Sequence, residues 1–272
     1  MKICSVRRDD RFSPNSIEKD RLILSAVASR LSTYYNTVVV EVDEADVQKG
    51  NVEADIDIFI SMARDPKTLA ILAEKEKSGS LVVNSAESVR RCQRSVLDRL
   101  MRDNNIAMPP ITGHNGYWLK RGDAAAQSKS DIIFCPDDEA LDEAKKLFLS
   151  RGITDMVVSS HVIGDLMKFY GVGSDFFRCY YPSDDGISKF GDETINGKAH
   201  HYAFDHVALH QEVVRLSQLT GVAVYGGDAV IDKTGHFYII DFNDWPSFSR
   251  CREEAANAIS SWVEAKNIIL NP

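Results

Sequence analysis

The strongest constraint in the sequence is an alternation of two hydrophobic periods across its first third. Short apolar or β-branched runs at residues 2–6, 37–42, 57–61 and 81–84 read as strands. Between them lie segments of helical period, one from the turn Ser13-Pro14-Asn15-Ser16 to about Leu31, another from Pro66 to about Lys77. In the first of these, Ile17, Leu22, Ile23, Ala26, Val27 and Leu31 make one apolar stripe, and Ser16 stands at the expected N-cap. Strands separated by helices of this length imply a small parallel α/β domain.

Beyond residue 85 the pattern changes. Residues 86–103 read as one amphipathic helix with Val89, Val96, Leu97, Leu100 and Met101 on its apolar side, and Met108-Pro109-Pro110 ends the connection after it. Strands follow at 117–120, 132–135, 156–159, 166–171, 176–181, 223–231 and 237–242, with helices at 137–150, 203–219 and 252–265. A small-residue segment covers 122–130, and a loop rich in Gly and Asp runs from Ser183 to about Lys198. The chain is therefore expected to be α/β with an α+β remainder. Its 272 residues suggest about two domains, and 44% hydrophobic content supplies a core without help from a metal or cross-link.

Composition also limits function. The 40 acidic residues against 32 basic ones give a net charge of −8, which argues against a general binder of nucleic acid or anionic membrane. A local basic pocket survives that argument. The five cysteines are odd in number and contain no Cys-x-x-Cys pair, which fits a reducing cytoplasm rather than a disulfide framework or zinc ribbon. Arg7, Arg8, Asp9, Asp10 and Arg11 sit where a signal peptide needs apolar residues, and no run approaches the ~18 apolar residues of a membrane span.

Chemistry concentrates in the last two strands. Asp241 and Asn243 are two apart on a strand, so both point to one face while Phe242 points to the other. Asp228 lies on the neighbouring strand across the turn Lys233-Thr234-Gly235. Two carboxylates and an amide oxygen form a hard ligand set suited to Mg²⁺ held together with nucleotide phosphates; strand-end turns and caps are the alternative. Among other features, His206 and His210 are one helical turn apart, beside His200 and His201, but no glutamate follows the first, so a solvated or packed histidine helix is favoured over zinc. Arg7, Arg8 and Arg11 follow the first strand, where open α/β sheets bind ligands, and read equally as an anion site or as surface charge. Arg250 and Arg252 read as a substrate contact or as partners of Glu253 and Glu254, and Gly171-Val172-Gly173 as a turn.

Taken in order, these features resemble the ATP-grasp superfamily across essentially the whole chain. That resemblance implies an ATP-grasp fold preceded by an N-terminal α/β domain at 1–84, a central portion at 85–158 and a C-terminal portion at 159–272. It makes Asp228, Asp241 and Asn243 the metal ligands. It gives Arg94, in Arg91-Cys92-Gln93-Arg94, the role of first phosphate cation, and Lys120, ending Tyr117-Trp118-Leu119-Lys120, that of a nucleotide contact. Ser159, Ser160 and His161 fall in the hinge that holds adenine through main-chain hydrogen bonds, and Lys168 is a further phosphate contact. ATP and Mg²⁺ are the implied cofactors. Cations spread over a triphosphate opposite a metal form an electrostatic clamp for phosphoryl transfer.

The chain departs from the family at several places, one of them the hinge, which has Ser159 and Ser160 where an acidic or amide residue is common. The phosphate-covering loop, residues 121–129, has one glycine; Asp241 stands where most ATP-grasp ligases have Glu, as in the inositol-phosphate kinase branch; and neither that branch's His-Gly motif nor the ligases' Arg-x-Asn signature is present. The expected reaction is transfer of the γ-phosphate to a carboxylate whose acyl phosphate is captured by an amine. The alternatives are a kinase acting on a hydroxyl of a small phosphorylated polyol, and a non-catalytic nucleotide-binding module. The expected partner is a small acceptor molecule, anionic if the arginines serve it, with no nucleic acid and no membrane.

Overall fold

The computed structural model describes residues 1–123, 129–185 and 198–270. Part of the expected phosphate loop (124–128) and most of the expected Gly/Asp-rich loop (186–197) lie outside them. Among the described residues eleven strands form three sheets. The first, wholly parallel, has the order β2-β1-β3-β4: β1 (Ile3–Arg7), β2 (Val39–Asp43), β3 (Ile58–Ser61) and β4 (Leu81–Val83). Helices α1 (Ile17–Tyr35), α2 (Glu44–Lys49) and α3 (Pro66–Lys77) make its crossovers. Ser16 occupies the N-cap of α1, but its hydroxyl makes no capping bond; only its carbonyl accepts, from the amide of Asp20 at 2.8 Å. Helix α2 has no counterpart in the sequence reading. Asp43 and Asp46 bond reciprocally at its start, and Gly50, at φ +76°, ends it.

The expected helix over 86–103 is two helices, α4 (Ala86–Arg91) and α5 (Arg94–Asp103). The break falls at Gln93, whose backbone is extended (φ −59°, ψ 131°). Packing explains it: Val89 belongs to the core of the first sheet, whereas Leu97 and Met101 belong to a core under the third. One straight helix cannot serve both.

The second sheet, β6-β5-β7, is antiparallel and is built from β5 (Tyr117–Arg121), β6 (Ile132–Cys135) and β7 (Met156–Ser160), with α6 (Asp138–Ser150) against it. The third, β11-β10-β8-β9, is also antiparallel: β8 (Asp165–Val172), β9 (Phe176–Tyr180), β10 (Val224–Ile231) and β11 (Phe237–Asp244), with α7 (His206–Thr220) and α8 (Arg252–Leu270). One core runs from the first sheet into the third. Ile23, Val27 and Leu31 of α1 pack with Ile58, Ile60, Val224, Trp245, Phe248 and Ile259. Trp245 donates its indole N–H to the Val83 carbonyl at 2.9 Å, and the Asn84 amide bonds both Val224 backbone groups. No helix among the described residues is long and apolar enough to cross a membrane.

Asp165, buried at the start of β8, fixes the chain that returns from the large loop. Its carboxylate accepts the amides of His200 (2.7 Å) and Tyr202 (3.0 Å). Burial pushes its pKa up, but these bonds and the His200 ring outweigh it, leaving the pKa below the ordinary value. The sign follows: the stabilisation is present above the usual aspartate pKa and is lost as pH falls through the lowered one. Asp165→Asn is expected to cost about 1–3 kcal/mol near neutrality and to flatten the acid limb of a melting-temperature profile below about pH 4.

Candidate functional site

The third sheet sets three charged groups in a row. Lys168 on β8 pairs with Asp228 on β10, which pairs with Asp241 on β11, so all three side chains project from one face. Asn243 shares that face and donates its amide to Asp241 Oδ2 at 2.7 Å, whereas Phe242 is fully buried on the other side with Phe169 and Tyr225. Lys168 Nζ lies 2.5 Å from Asp228 Oδ1. Burial lowers the Lys168 pKa, but the Asp228 carboxylate more than compensates, and the net shift is upward.

A β-bulge interrupts the row's edge. The register passes from Asp228↔Asp241 to Ala229↔Ile239, leaving Ile240 as the extra residue. Its carbonyl receives Lys120 Nζ from β5 of the second sheet at 3.1 Å. Burial and the neighbouring Arg94 lower the Lys120 pKa against the opposing pull of Asp241. Arg94, the first residue of α5, donates to the Arg121 carbonyl at 2.7 Å. It is held there because Ser95 bonds both the Gly122 carbonyl and the Asp155 carboxylate. A Cβ at Gly122 would press on that carboxylate and crowd Ser95, so a side chain there would push the Asp155 carboxylate away from Ser95.

These elements enclose a cleft of about 460 Å³, in the range of small-molecule sites. Arg94, Lys120, Ser159, Asp241 and Asn243 all line it, and Met101, Met108, Pro109, Val157 and Ile239 supply an apolar slot between the second and third sheets. Lys168 and Asp228 stand on the adjoining strands, outside its lining. So do Ser160 and His161, whose amides already donate to Pro110 (2.7 Å) and Gly116 (2.8 Å). The His161 ring is buried beside Trp118 and Phe134; its Nδ1 accepts the Trp118 indole N–H at 3.1 Å, and burial lowers its pKa. The ring is therefore packed among aromatic side chains, outside the lining of the cleft.

Asp228, Asp241 and Asn243 fit a hard cation in chemistry: two carboxylate groups and an amide oxygen on one face, a set that leaves positions for water and phosphate oxygens. Among the described residues no group of three or more His, Cys, Asp or Glu gathers as a metal site. The histidines are dispersed: His200 on Asp165, His201 on Asp184, His206 near the Cys179 thiol, and His210 stacked on Phe177.

The sequence reading missed the groups that tie this face to the first sheet. Asp244, 1% exposed, receives Arg64 at 2.7 Å and Arg8 at 3.3 Å; Arg8 also reaches Asp20 at 3.1 Å. Arg8 is thus an internal brace rather than an anion site, while Arg7 pairs with Glu41 and Asp43 and Arg11 with Asp9 and Asp65. Glu253 and Glu254 pair with Arg30 and Arg178, and Arg250 donates to the Tyr181 carbonyl at 3.2 Å. Position offered a signal for Asp244, since it ends the strand that carries Asp241 and Asn243. Nothing local marked its partners 180 residues and more away.

No family model matches the chain, and no curated protein matches its sequence. Solved structures do. The chain is similar to D-alanyl-alanine synthetase A from Vibrio cholerae, with TM-score 0.67 and 11% identity over 98% of this chain and 99% of that one. It is similar to a RimK domain ATP-grasp protein from Sphaerobacter thermophilus, with TM-score 0.63 and 16% identity over 96% and 98%. The ATP-grasp ligase PsnB, solved with a precursor variant, Mg and ADP, gives TM-score 0.61 and 13% identity over 99% and 98%. Agreement over nearly the full length of each shows that this chain has the ATP-grasp fold.

Proposed function

We propose that the protein is an ATP- and Mg²⁺-dependent enzyme that activates a carboxylate and joins it to an amine. The observation that carries this reading is the pairing of two walls: Arg94 and Lys120, whose side-chain hydrogen bonds among the described residues go to main-chain carbonyls, face a cleft whose other wall carries Asp241 and Asn243. In this reading adenine lies in the slot between the second and third sheets. The amides of Ser160 and His161 are occupied by Pro110 and Gly116, so in this reading base contacts fall to other main-chain groups of the hinge. Arg94, Lys120 and Lys168 stabilise the charge on the phosphates, and Asp228, Asp241 and Asn243 hold the metal. The bound cation supplies charge neutralisation between phosphate oxygens. The division at residues 84 and 158 makes the clamp, with the nucleotide between its last two parts.

A carboxylate oxygen attacks the γ-phosphorus, the bond to the β,γ-bridging oxygen breaks, and ADP leaves. An amine then attacks the acyl carbon, phosphate leaves, and the amine loses one proton. A second reading, transfer to a hydroxyl, is favoured by Asp241, whose shorter side chain bridges two metal ions less readily than Glu. The two readings part in one assay. Incubation with ATP, Mg²⁺ and a cell metabolite extract, followed by mass spectrometry, is expected to show ADP release that needs both an acid and an amine. A phosphorylated product formed from an alcohol alone replaces the first reading with the second.

A further inference from the structure

The cleft has a second lining, different in origin from the walls described above. Phe12, Arg64, Pro66, Leu69, Val89 and Arg90 all belong to segments that follow the carboxyl ends of β1, β3 and β4. The order β2-β1-β3-β4 sends the chain one way from β1 and the other way from β3, so the topological switch lies between those strands. Crevices outside the carboxyl ends of strands at such a point receive ligands in open α/β sheets. Here the loops are drawn together by buried Glu44, whose carboxylate accepts the amides of Asp9 (3.0 Å), Arg64 (3.2 Å) and Asp65 (2.8 Å).

Charge decides what this compartment takes. Its internal pairs are already made: Arg64 with Asp244, Asp98 with Arg102, Asp123 with Arg121. Arg94 and Lys120 serve the triphosphate in the reading above. Arg90 is left over. Its side chain is 42% exposed; its one ion pair within 4 Å among the described residues is Glu87 of its own helix, at 3.9 Å, and Glu76 lies within electrostatic reach. A guanidinium fork so placed suits a planar carboxylate or a phosphate, which it can grip with two parallel hydrogen bonds. We infer that the compartment between β1, β3 and β4 binds an anionic group of the acceptor, a carboxylate or phosphate other than the reacting oxygen, through Arg90. Phe12, Pro66 and Leu69 bound the acceptor's carbon frame. The inference rests on the nucleotide reading, since it assigns Arg94 and Lys120 to ATP.

The test titrates defined anions into protein saturated with AMP-PNP and Mg²⁺, by calorimetry. Inorganic phosphate and glycerol 3-phosphate form one arm, succinate and L-glutamate the other. At least one probe is expected to bind below about 10 mM, and Arg90→Leu to weaken it by about tenfold or more. Arg90→Lys should recover part of that loss, because it keeps the charge without the fork. The affinity for a fluorescent ATP analogue should stay within about twofold in both variants. The arm that responds names the group. Absence of binding by all four probes, unchanged binding in Arg90→Leu, or a parallel loss of nucleotide affinity overturns the subsite. Failure of AMP-PNP itself to bind the unsubstituted protein overturns the nucleotide reading, and the subsite with it.

Discussion

Replacing Asp241 and Asn243 together by alanine is expected to lower ATP-dependent turnover by about 10³-fold, the scale on which fixed electrostatic stabilisers act in phosphoryl transfer. Both side chains are only half-buried and lie on the cleft wall, so the fold has little to lose. The electrostatic field has more. Asp241 is the main charge opposing burial at Lys120, so its removal drives the Lys120 pKa further down and weakens the opposite wall too. Two measurements belong together: ADP release with the metabolite extract, and Mg²⁺-dependent binding of a fluorescent ATP analogue, with circular dichroism to confirm the fold. Magnesium-dependent binding that persists unchanged in the double variant would remove the metal role from these residues.

The adjacent residue should behave in the opposite way. Asp244→Ala is expected to cost about 3–5 kcal/mol of stability, because it leaves charged partners buried and unpaired. Arg8 and Arg64 have side chains 6% and 16% exposed, and both converge on this one carboxylate. For a chain of this size the loss corresponds to a fall in melting temperature of roughly 10 °C. Urea and thermal denaturation measure it directly. Removing a cation together with its carboxylate, as in Arg64→Met/Asp244→Leu, should cost less than Asp244→Ala alone, since no orphaned charge remains at that pair. A fall of less than about 1 kcal/mol in Asp244→Ala would show the brace to be incidental. Neighbouring positions on one strand thus separate by readout, turnover for Asp241 and Asn243, stability for Asp244.

The elements were legible in the sequence wherever periodicity was strong. Residues 66–77 read as a helix, and α3 occupies that span; the seven strands beyond residue 110 appear within two residues at each end. The shared face of Asp241 and Asn243 was legible because alternation on a strand has no competing solution once Phe242 must be buried. What was hidden depended on distant packing. The sequence across Cys92 and Gln93 carries no helix breaker; the break exists because two separate cores claim its two ends. The bulge at Ile240 leaves no mark either, since another isoleucine precedes it and both fit a strand. Arg90 and Arg64 looked like ordinary charged positions until the sheet order brought their loops to one crevice. Ser160 and His161 lie in the connection from β7 to β8, where their amides are taken by Pro110 and Gly116, contacts that no local pattern announces.

The core shared between the first and third sheets has a mechanical consequence. Residues near both ends of the described chain, Ile3 of β1 and Val263 of α8, are packed in the same buried cluster, whereas β5, β6, β7 and α6 keep a core of their own. Under the proposed function, admission of a nucleotide is expected to displace the second sheet, whose core is separate, against this shared base. The bond from Lys120 to the Ile240 carbonyl is one contact between the second and third sheets that such a displacement would break. On such a frame the inferred acceptor subsite, carried by the segments after β1, β3 and β4, would stay with the base as the second sheet moves.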